Sequence, residues 1–255
     1  TGKKKYLAFT FIMQNIAANL GGMVTPFGNP QNIYLFSYFN INTLEFIKIM
    51  GPPFLLSFLL ILICIMFVKK EELVLIDNQE YNLPKVKTVF LSLLFVAAVL
   101  LIFKVVPFYY ALAVVVVGML IVDYKAFMKV DYGLLFTFLF FFIFTGNLSR
   151  IESISTFFSN LISHNTLIVS VLTCQFISNV PTAILFSKFT LDYPNLLVAV
   201  NIGGIGTIVA SLASLITFSQ YRKEEPKKAW QYLGLFSLIN FLFLGILIIF
   251  QLLIN

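Results

Sequence analysis

Charged side chains are scarce in this chain. They make up 11% of its 255 residues, whereas hydrophobic residues make up 60% and phenylalanine alone occurs 30 times. A soluble domain carries about 25% charged residues, so this chain could not cover its surface with polar groups. The composition therefore excludes a water-soluble domain and predicts an all-α integral membrane protein, multi-pass in the cell (inner or plasma) membrane. The net charge of +6 fits basic cytoplasmic loops and does not indicate a nucleic-acid partner.

Catalytic and metal-ligating side chains are also scarce. The single histidine, His164, cannot build a usual zinc site. Neither His-Glu-x-x-His nor Gly-x-Ser-x-Gly occurs, which leaves little basis for an intramembrane enzyme. Cys64 and Cys174 both lie in apolar runs and suit small core positions. The sequence thus predicts a protein without enzymatic activity and without an organic cofactor.

Apolar runs are abundant by contrast. A membrane-crossing helix needs roughly 20 apolar residues. Eight runs approach that length, at 6–38, 46–68, 88–103, 107–122, 132–148, 165–189, 194–218 and 230–254. The eleven acidic residues all fall in loops or at helix ends, so no buried carboxylate is available for a proton relay in this part of the chain.

A seven-residue pattern occurs twice inside these runs. The stretch Asn-Leu-Gly-Gly-Met-Val-Thr at 19–25 returns as Asn-Ile-Gly-Gly-Ile-Gly-Thr at 201–207. A glycine pair is a poor choice for the middle of a buried helix. Two weak points at corresponding places predict two broken helices in duplicated halves, which is the best sequence pointer to a transporter's binding site.

The first copy continues into an even stronger interruption. Residues 21–30 hold three glycines and two prolines, and no continuous helix survives that combination. Thr25, Asn29, Gln31 and Asn32 add polar side chains that hydrocarbon tolerates only when they are satisfied. The alternative is an extramembrane loop between two shorter helices. The absence of any charge between Lys5 and Glu45 favours the broken helix.

Charge bias predicts the topology. If the amino end is cytoplasmic and 165–189 enters and leaves on one side, thirteen of the 17 basic residues lie inside, namely Lys3, Lys4, Lys5, Lys69, Lys70, Lys85, Lys87, Lys125, Lys129, Arg222, Lys223, Lys227 and Lys228. A full crossing would leave ten inside and seven outside. The positive-inside rule favours the re-entrant hairpin, with its tip at Ser178–Thr182. The two broken helices then run in opposite directions, as in an inverted-repeat transporter.

These motifs resemble those of a known group. The stretch from Asn19 to Asn32, which contains Thr-Pro-Phe-Gly-Asn-Pro-Gln-Asn, is similar to the broken-helix signature of the ion transporter superfamily. That superfamily includes citrate transporter-like proteins, divalent anion/sodium symporters and arsenite permeases. Ser178-Asn179-Val180-Pro181-Thr182 resembles its hairpin tip. The resemblance implies an elevator-like carrier, usually dimeric, whose hairpin tips and broken helices hold the substrate and a coupling ion.

The resemblance also implies the site residues. Ser178, Asn179 and Thr182 would contact substrate or ion from the hairpin, while Thr25, Gly28, Asn29 and Asn32 would form one facing half-site. The other half-site would comprise the second break and the serines after it: Gly203, Gly206, Thr207, Ser211 and Ser214. A Na⁺ site would lie near Ser178, Asn179 and Gly206, and the coupling ion would be Na⁺ or H⁺. No other metal site is predicted.

One departure from the family pattern concerns length. Only five residues precede the first predicted broken helix, whereas a hairpin precedes the second. The chain is thus predicted to be a carboxy-terminal portion whose missing amino-terminal half would be a partner. The predicted parts are the end of the first repeat (1–68), a cytoplasmic linker (69–87), and the second repeat (88–255) with its hairpin at 165–189 and its broken helix at 194–219.

The predicted function is that of a secondary active transporter, or permease. It would move a small anion, such as a di- or tricarboxylate or an inorganic oxyanion, across the membrane with coupling to a cation. Helix N-termini at the breaks would suit such an anion because they carry about half a positive charge. The alternatives within the superfamily are an arsenite efflux permease and a Na⁺/H⁺ antiporter. An ion channel is the alternative of another class, since channels also use re-entrant segments.

Overall fold

The computed structural model describes residues 6–68, 84–105 and 107–254. This part of the chain contains twelve α-helices and no β-strand. The helices are α1 (Leu7–Gly21), α2 (Pro30–Tyr38), α3 (Thr43–Met66), α4 (Lys85–Ile102), α5 (Phe108–Asp123), α6 (Tyr132–Leu148), α7 (Glu152–His164), α8 (Thr166–Ile177), α9 (Asn179–Phe186), α10 (Tyr193–Ile202), α11 (Leu212–Glu224) and α12 (Ala229–Ile254).

Several helices are long and apolar enough to cross a bilayer. Five such spans occur among the described residues, at Leu7–Val24, Thr43–Met66, Lys85–Ile102, Phe108–Lys129 and Pro226–Ile254. A sixth is formed if α6 and α7, which meet at a bend of 101°, are taken as one span. The prediction of an all-helical, multi-pass membrane protein is confirmed. The inverted repeat and the re-entrant hairpin stay predictions.

Helix is interrupted at both copies of the repeated pattern. Helix α1 ends at Gly21 and passes into a short 3-10 turn, after which Thr25 is extended and α2 begins at Pro30. Proline suits this first position because its missing N–H has no helical partner there anyway. Helix α10 ends at Ile202, and α11 begins only at Leu212. The residues between the two helices of each pair therefore do not form continuous α-helix.

The predicted hairpin region contains the consecutive short helices α8 and α9. The interruption was expected over 178–182, but it consists of Ser178 alone, because α9 already begins at Asn179. The Asn179 side chain accepts a hydrogen bond from the Val180 N–H at 2.9 Å, and Pro181 falls within the first turn, where proline is tolerated. Ser178 has φ 75° and ψ 160°, a conformation otherwise used almost only by glycine.

The helices divide into two compact units. One comprises residues 1–72 and 140–255, and its core lies around α1 and α10, where Ile12, Ile16 and Leu197 are fully buried. The other comprises 73–139, in which α4 and α5 pack together and Lys87 forms an ion pair of 2.7 Å with Asp123. This division does not test the predicted repeat boundaries, which stay predictions.

Part of the predicted cytoplasmic surface lies outside the described residues. This applies to Lys3, Lys4 and Lys5, and to residues 69–83 of the predicted linker at 69–87. The last three linker residues, 85–87, belong to α4.

Candidate substrate site at the helix breaks

The two breaks meet in the core of the larger unit. The first helix of each interrupted pair packs against the second helix of the other, so that α1 contacts α11 and α10 contacts α2. Helix α8 packs against α10 and the 208–210 turn, while α9 packs against α2 and α10. Three interrupted segments are thereby brought to one place.

Asn201, at the end of α10, joins the second break to the first. Its amide nitrogen donates to Asn32 Oδ1 at 2.6 Å and to the Leu197 carbonyl at 2.8 Å. Its amide oxygen accepts from Asn29 Nδ2 and from Gln31 Nε2, both at 3.2 Å. Asn201 is buried, and a buried amide with both ends satisfied orients its partners strongly.

A second amide cluster joins α1 to α11 and α12. Asn15 Oδ1 accepts from Asn19 Nδ2 at 3.2 Å and from Ser214 Oγ at 3.1 Å. Asn15 Nδ2 donates to Asn240 Oδ1 at 3.3 Å. The 182-residue offset that relates Asn19 to Asn201 also relates Asn32 to Ser214. Asn201 bonds directly to Asn32, whereas the corresponding residues Asn19 and Ser214 are joined through Asn15.

Gly204 marks the point where the three interrupted segments converge. A Cβ atom placed on Gly204 would lie 2.9 Å from Asn179 Nδ2 and 3.1 Å from Asn19 Oδ1. Asn179 comes from the start of α9, and Asn19 from the last turn of α1. Among the described residues, Asn179 Nδ2 has no hydrogen-bond partner, so this donor remains available beside the break.

Gln175, on α8, holds the second break in shape. Its Oε1 accepts from the Thr207 N–H at 2.8 Å, and its Nε2 donates to the carbonyls of Gly203 and Ile205 at 3.0 and 3.2 Å. Gly206 lies against this side chain with φ 123°, and a Cβ there would fall 2.2 Å from Gln175 Oε1. Glycine is therefore required at 206 by conformation and by space.

The first break is held in shape by its own side chains. Asn32 Nδ2 donates to the carbonyls of Gly22 and Thr25 at 3.3 and 3.1 Å, and Asn29 Nδ2 donates to the Asn19 carbonyl at 3.1 Å. Gly28 approaches closely as well, since a Cβ there would lie 2.0 Å from the Gly22 carbonyl oxygen. These bonds satisfy carbonyls that the interrupted helix leaves without partners.

Ser178 alone connects α8 to α9, and this connection is called the Ser178 joint. The hydroxyl groups near it form hydrogen bonds within the protein. Ser178 Oγ donates to the Ala210 carbonyl at 3.2 Å, which ties the joint to the second break. Thr182 Oγ1 donates back to the Ser178 carbonyl at 2.7 Å. Ser211 caps α11 by accepting from the Ser214 N–H at 3.2 Å, and its hydroxyl lies 2.9 Å from that of Ser214.

The predicted site residues therefore fall into groups. The structure brings Asn29 and Asn32 to the second break through Asn201, and it brings Ser178 and Asn179 to the same region. The remaining predicted residues stand at the breaks or next to them and shape the backbone: Thr25, Gly28, Thr182, Gly203, Gly206, Thr207, Ser211 and Ser214. Their contact with a substrate stays a prediction.

Six polar residues that the structure places in these clusters were left out of the predicted site. They are Asn15, Asn19, Gln31, Gln175, Asn201 and Asn240. Asn19 and Asn201 open the repeated pattern, so the repeat itself contained the signal for both. Gln31 lies between the predicted residues Asn29 and Asn32, and Asn15 follows another amide residue, Gln14. Gln175 and Asn240 are single amide side chains within apolar runs.

The electrostatics of this region come from dipoles. None of the side chains named above at the two breaks or the Ser178 joint carries a charge. Helices α2, α9 and α11 begin here, and α1, α8 and α10 end here. Helix N-termini favour negative groups, and the carbonyls at C-termini favour cations. Such an arrangement suits a small ionic solute without burying a charged side chain.

Comparison with known proteins gives a consistent result. The family profile described as "Citrate transporter" matches residues 3–194, which include the first break and the Ser178 joint. The uncharacterized transporter MJ0456 of Methanocaldococcus jannaschii is 38% identical over 213 residues, or 84% of this chain and 58% of that protein. The inner membrane protein YbiR of Escherichia coli is 29% identical over 89% of this chain and 61% of that protein. The chain thus spans about three-fifths of the length of these curated relatives.

Proposed function

Because the chain belongs to the citrate transporter family, a family of permeases and not of enzymes, we propose that it forms the substrate-binding part of a secondary active carrier. Its substrate is a small anion, either a di- or tricarboxylate or an inorganic oxyanion. The observation that carries this proposal is the meeting of two interrupted helices and the Ser178 joint at Gly204. Paired discontinuous helices of this kind hold the substrate in many carriers.

Two kinds of donor are available for the anion. Asn179 Nδ2 stands beside the second break without a partner among the described residues. The first turns of α2 and α9 add the backbone N–H groups of Gln31 and Asn179, since the prolines there have no N–H and the other N–H groups are already bonded. Hydrogen bonds to a charged group contribute about 1.5–3 kcal/mol each. A few such donors supply micromolar to millimolar affinity once the ordering of the solute is deducted.

The coupling cation, Na⁺ or H⁺, belongs to the same proposal. Hard oxygen ligands suit Na⁺, and the hydroxyl of Ser178, the amide oxygen of Asn179 and the backbone beside Gly206 would supply them. Such a cation would offset the negative charge of the substrate in a region that has no basic side chain of its own. A cluster of three or more His, Cys, Asp or Glu side chains suited to a metal ion is absent from the described residues.

The architecture that fits this function is an inverted repeat. The reciprocal packing of α1 on α11 and of α10 on α2 supports it, as do the matching positions of Asn32 and Ser214. Helices α8 and α9 would then form the re-entrant hairpin of the second repeat. A missing amino-terminal half would supply the first hairpin, and two copies would form a homodimer.

Replacement of Asn179 tests the proposal. In the full-length protein reconstituted in liposomes, Asn179→Ala should lower the uptake of radiolabelled citrate at least tenfold under a Na⁺ or H⁺ gradient, because it removes a hydrogen bond to a charged group. Asn160→Ala, on the exposed surface of α7, is the matched control and should transport normally. Normal uptake by Asn179→Ala would remove α9 from the substrate site.

The same assay separates the alternatives. Uptake that saturates with substrate and requires a cation gradient indicates a carrier, whereas flux that rises linearly with concentration indicates a channel. Competition by arsenite but not by citrate would assign the arsenite permease function. Na⁺-driven proton movement without any anion would assign the antiporter.

A further inference from the structure

A polar cavity lies away from the helix breaks. Its volume is about 210 Å³, and it opens between the start of α1, the end of α11 and the start of α12. Its polar lining consists of Tyr221, Glu225, Lys228, Gln231 and Tyr232. Tyr221 lies ten residues beyond Ser211, which corresponds to roughly 15 Å along a helix. The cavity is therefore separate from the candidate substrate site.

Tyr232 is the unusual member of this lining. It is only 1% exposed, and its ring stacks on that of Tyr221 at a centroid distance of 4.0 Å. Its hydroxyl is buried and has no hydrogen-bond partner among the described residues. Buried polar groups are normally satisfied, and one inside a membrane protein has little access to bulk water. A ligand with an acceptor oxygen would satisfy this hydroxyl.

Basic side chains outnumber acidic ones in the segment beside the cavity, although only Lys228 and Glu225 of that segment line it. Residues 222–228 contain four basic and two acidic side chains, which are Arg222, Lys223, Lys227 and Lys228 against Glu224 and Glu225. Lys228 Nζ lies 3.3 Å from Glu225 Oε2, but the Lys228 side chain is 56% exposed and can turn toward a new partner. The ligand is therefore expected to be an anion.

The position of the cavity points to the membrane interface. Helix α12, which begins at Ala229, is the core of a membrane-capable span, and Trp230 in its first turn is 85% exposed. Tryptophan concentrates at the level of lipid headgroups, where clustered lysine and arginine attract anionic lipids.

We propose that this cavity binds the phosphodiester of an anionic phospholipid. Tyr232 and Lys228 donate to the phosphate oxygens, and Trp230 lies beside the glycerol region of the same lipid. Glu225 disfavours free phosphate, which carries about 1.5 to 2 negative charges at pH 7, more than the single charge of a phosphodiester. A bound lipid would join α1, α11 and α12 at this end of the protein. The proposal does not depend on the transported substrate.

The single tryptophan allows a direct test. The chain is reconstituted in phosphatidylcholine vesicles with increasing fractions of phosphatidylglycerol brominated in its acyl chains, and quenching of Trp230 fluorescence is recorded. Quenching by brominated phosphatidylglycerol should level off at a low fraction of that lipid. At the same fraction, brominated phosphatidylcholine should still quench in proportion to its amount. Equal quenching curves for the two lipids would overturn the proposal.

Three variants test the assigned contacts. Tyr232→Phe should weaken binding about tenfold through loss of a hydrogen bond to a charged group. Lys228→Gln should weaken it about fivefold, the usual effect of one basic residue at an anionic surface. Glu225→Gln should strengthen it, because the competitor for Lys228 is removed. Tyr109→Phe and Lys129→Gln, both exposed in the smaller unit, are matched controls and should leave quenching unchanged.

Two further measurements identify the ligand class. Displacement of the brominated lipid by millimolar inorganic phosphate would show a site for soluble phosphate and overturn the lipid assignment. Weaker binding by Glu225→Gln would indicate a zwitterionic headgroup and overturn the anionic one. The thermal unfolding temperature distinguishes a variant that folds poorly from one that folds but binds the lipid weakly. In pure phosphatidylcholine, Tyr232→Phe should unfold at or above the wild-type temperature, and added phosphatidylglycerol should raise the unfolding temperature more for the wild type than for Tyr232→Phe.

Discussion

At the scale of single residues, the candidate site depends on amides and glycines. Asn201 satisfies three side chains of the first break, and Gln175 satisfies three backbone groups of the second. Gly206 and Gly28 allow the close approaches that these bonds require. A break in a membrane helix exposes main-chain polar groups, which must find such partners in protein.

Gly206→Ala should destabilise the protein by about 1–3 kcal/mol, since alanine is strained at φ 123° and its Cβ would collide with Gln175. Gly234→Ala on α12 is the matched control, because open space surrounds that position. The control should be neutral or more stable by about 0.5–1 kcal/mol, as expected for alanine in a helix. Equilibrium unfolding in mixed micelles measures both. Equal stability of the two variants would contradict the assigned conformation of the break.

Asn201→Leu should destabilise the protein by about 1–3 kcal/mol, because it leaves the buried Gln31 Nε2 and Asn32 Oδ1 without a partner. A double-mutant cycle with Asn32→Leu checks the cause. The two changes should be coupled by about 0.6–1.7 kcal/mol, the range for hydrogen bonds between membrane helices. Additive effects would mean that the bond of 2.6 Å contributes nothing to stability.

At the scale of helices, short segments form the site. Helices α2, α9 and α10 have nine, eight and ten residues, too few to cross a bilayer. Their ends are therefore placed inside the protein, where they meet other helix ends. The single-residue joint at Ser178 is the sharpest case, because its conformation is strained and its hydroxyl bonds to Ala210.

Variants of Ser178 should separate the effect of its strained backbone conformation from that of its hydrogen bond to the Ala210 carbonyl. Ser178→Gly should leave stability unchanged or raise it by up to about 2 kcal/mol, because relief of strain worth about 1–3 kcal/mol outweighs the loss of one hydrogen bond worth about 1 kcal/mol. Ser178→Val should lower the free energy of unfolding by about 2 kcal/mol or more, because a β-branched residue is strongly strained at positive φ. Chemical unfolding of both variants gives the comparison. A glycine variant no more stable than the valine variant would refute a strained joint.

At the scale of the whole molecule, the chain spans 58–61% of the length of the relatives it matches. The predicted second repeat has a hairpin and a broken helix, whereas the predicted first repeat has only its broken helix within this chain. An inverted-repeat carrier needs both hairpins to enclose its solute and to alternate access. The activity of the whole carrier is accordingly expected to need the region that completes the first repeat.

The isolated 255-residue chain should therefore show no saturable anion uptake in liposomes. Co-reconstitution with the region that completes the first repeat should restore uptake, and the full-length protein is the positive control. Far-ultraviolet circular dichroism checks that the isolated chain remains helical. Saturable, gradient-driven uptake by the isolated chain would refute the prediction that half of the site is missing.

Much of the architecture could be predicted from local composition. The apolar runs predict membrane helices, and the Gly- and Pro-rich stretch at 21–30 predicts an interruption wherever it lies. Both depend only on neighbouring residues, through helix propensity and the requirement for about 20 apolar residues. The interruption expected over 178–182 is narrower in the structure, because Pro181 lies in the first turn of α9, where a proline is tolerated.

The sequence alone determined that the chain lies in a membrane, that it is helical and where the two helix breaks fall, because each of these follows from residues close together in the chain. Only the tertiary structure decided which polar groups meet. Asn201 reaches Asn29 across 172 positions, and Asn19 approaches Asn179 over Gly204. These pairings depend on how α1, α2, α9 and α10 pack, and packing among helices of uniformly apolar composition leaves no periodic signal from which one sequence can reveal a partner.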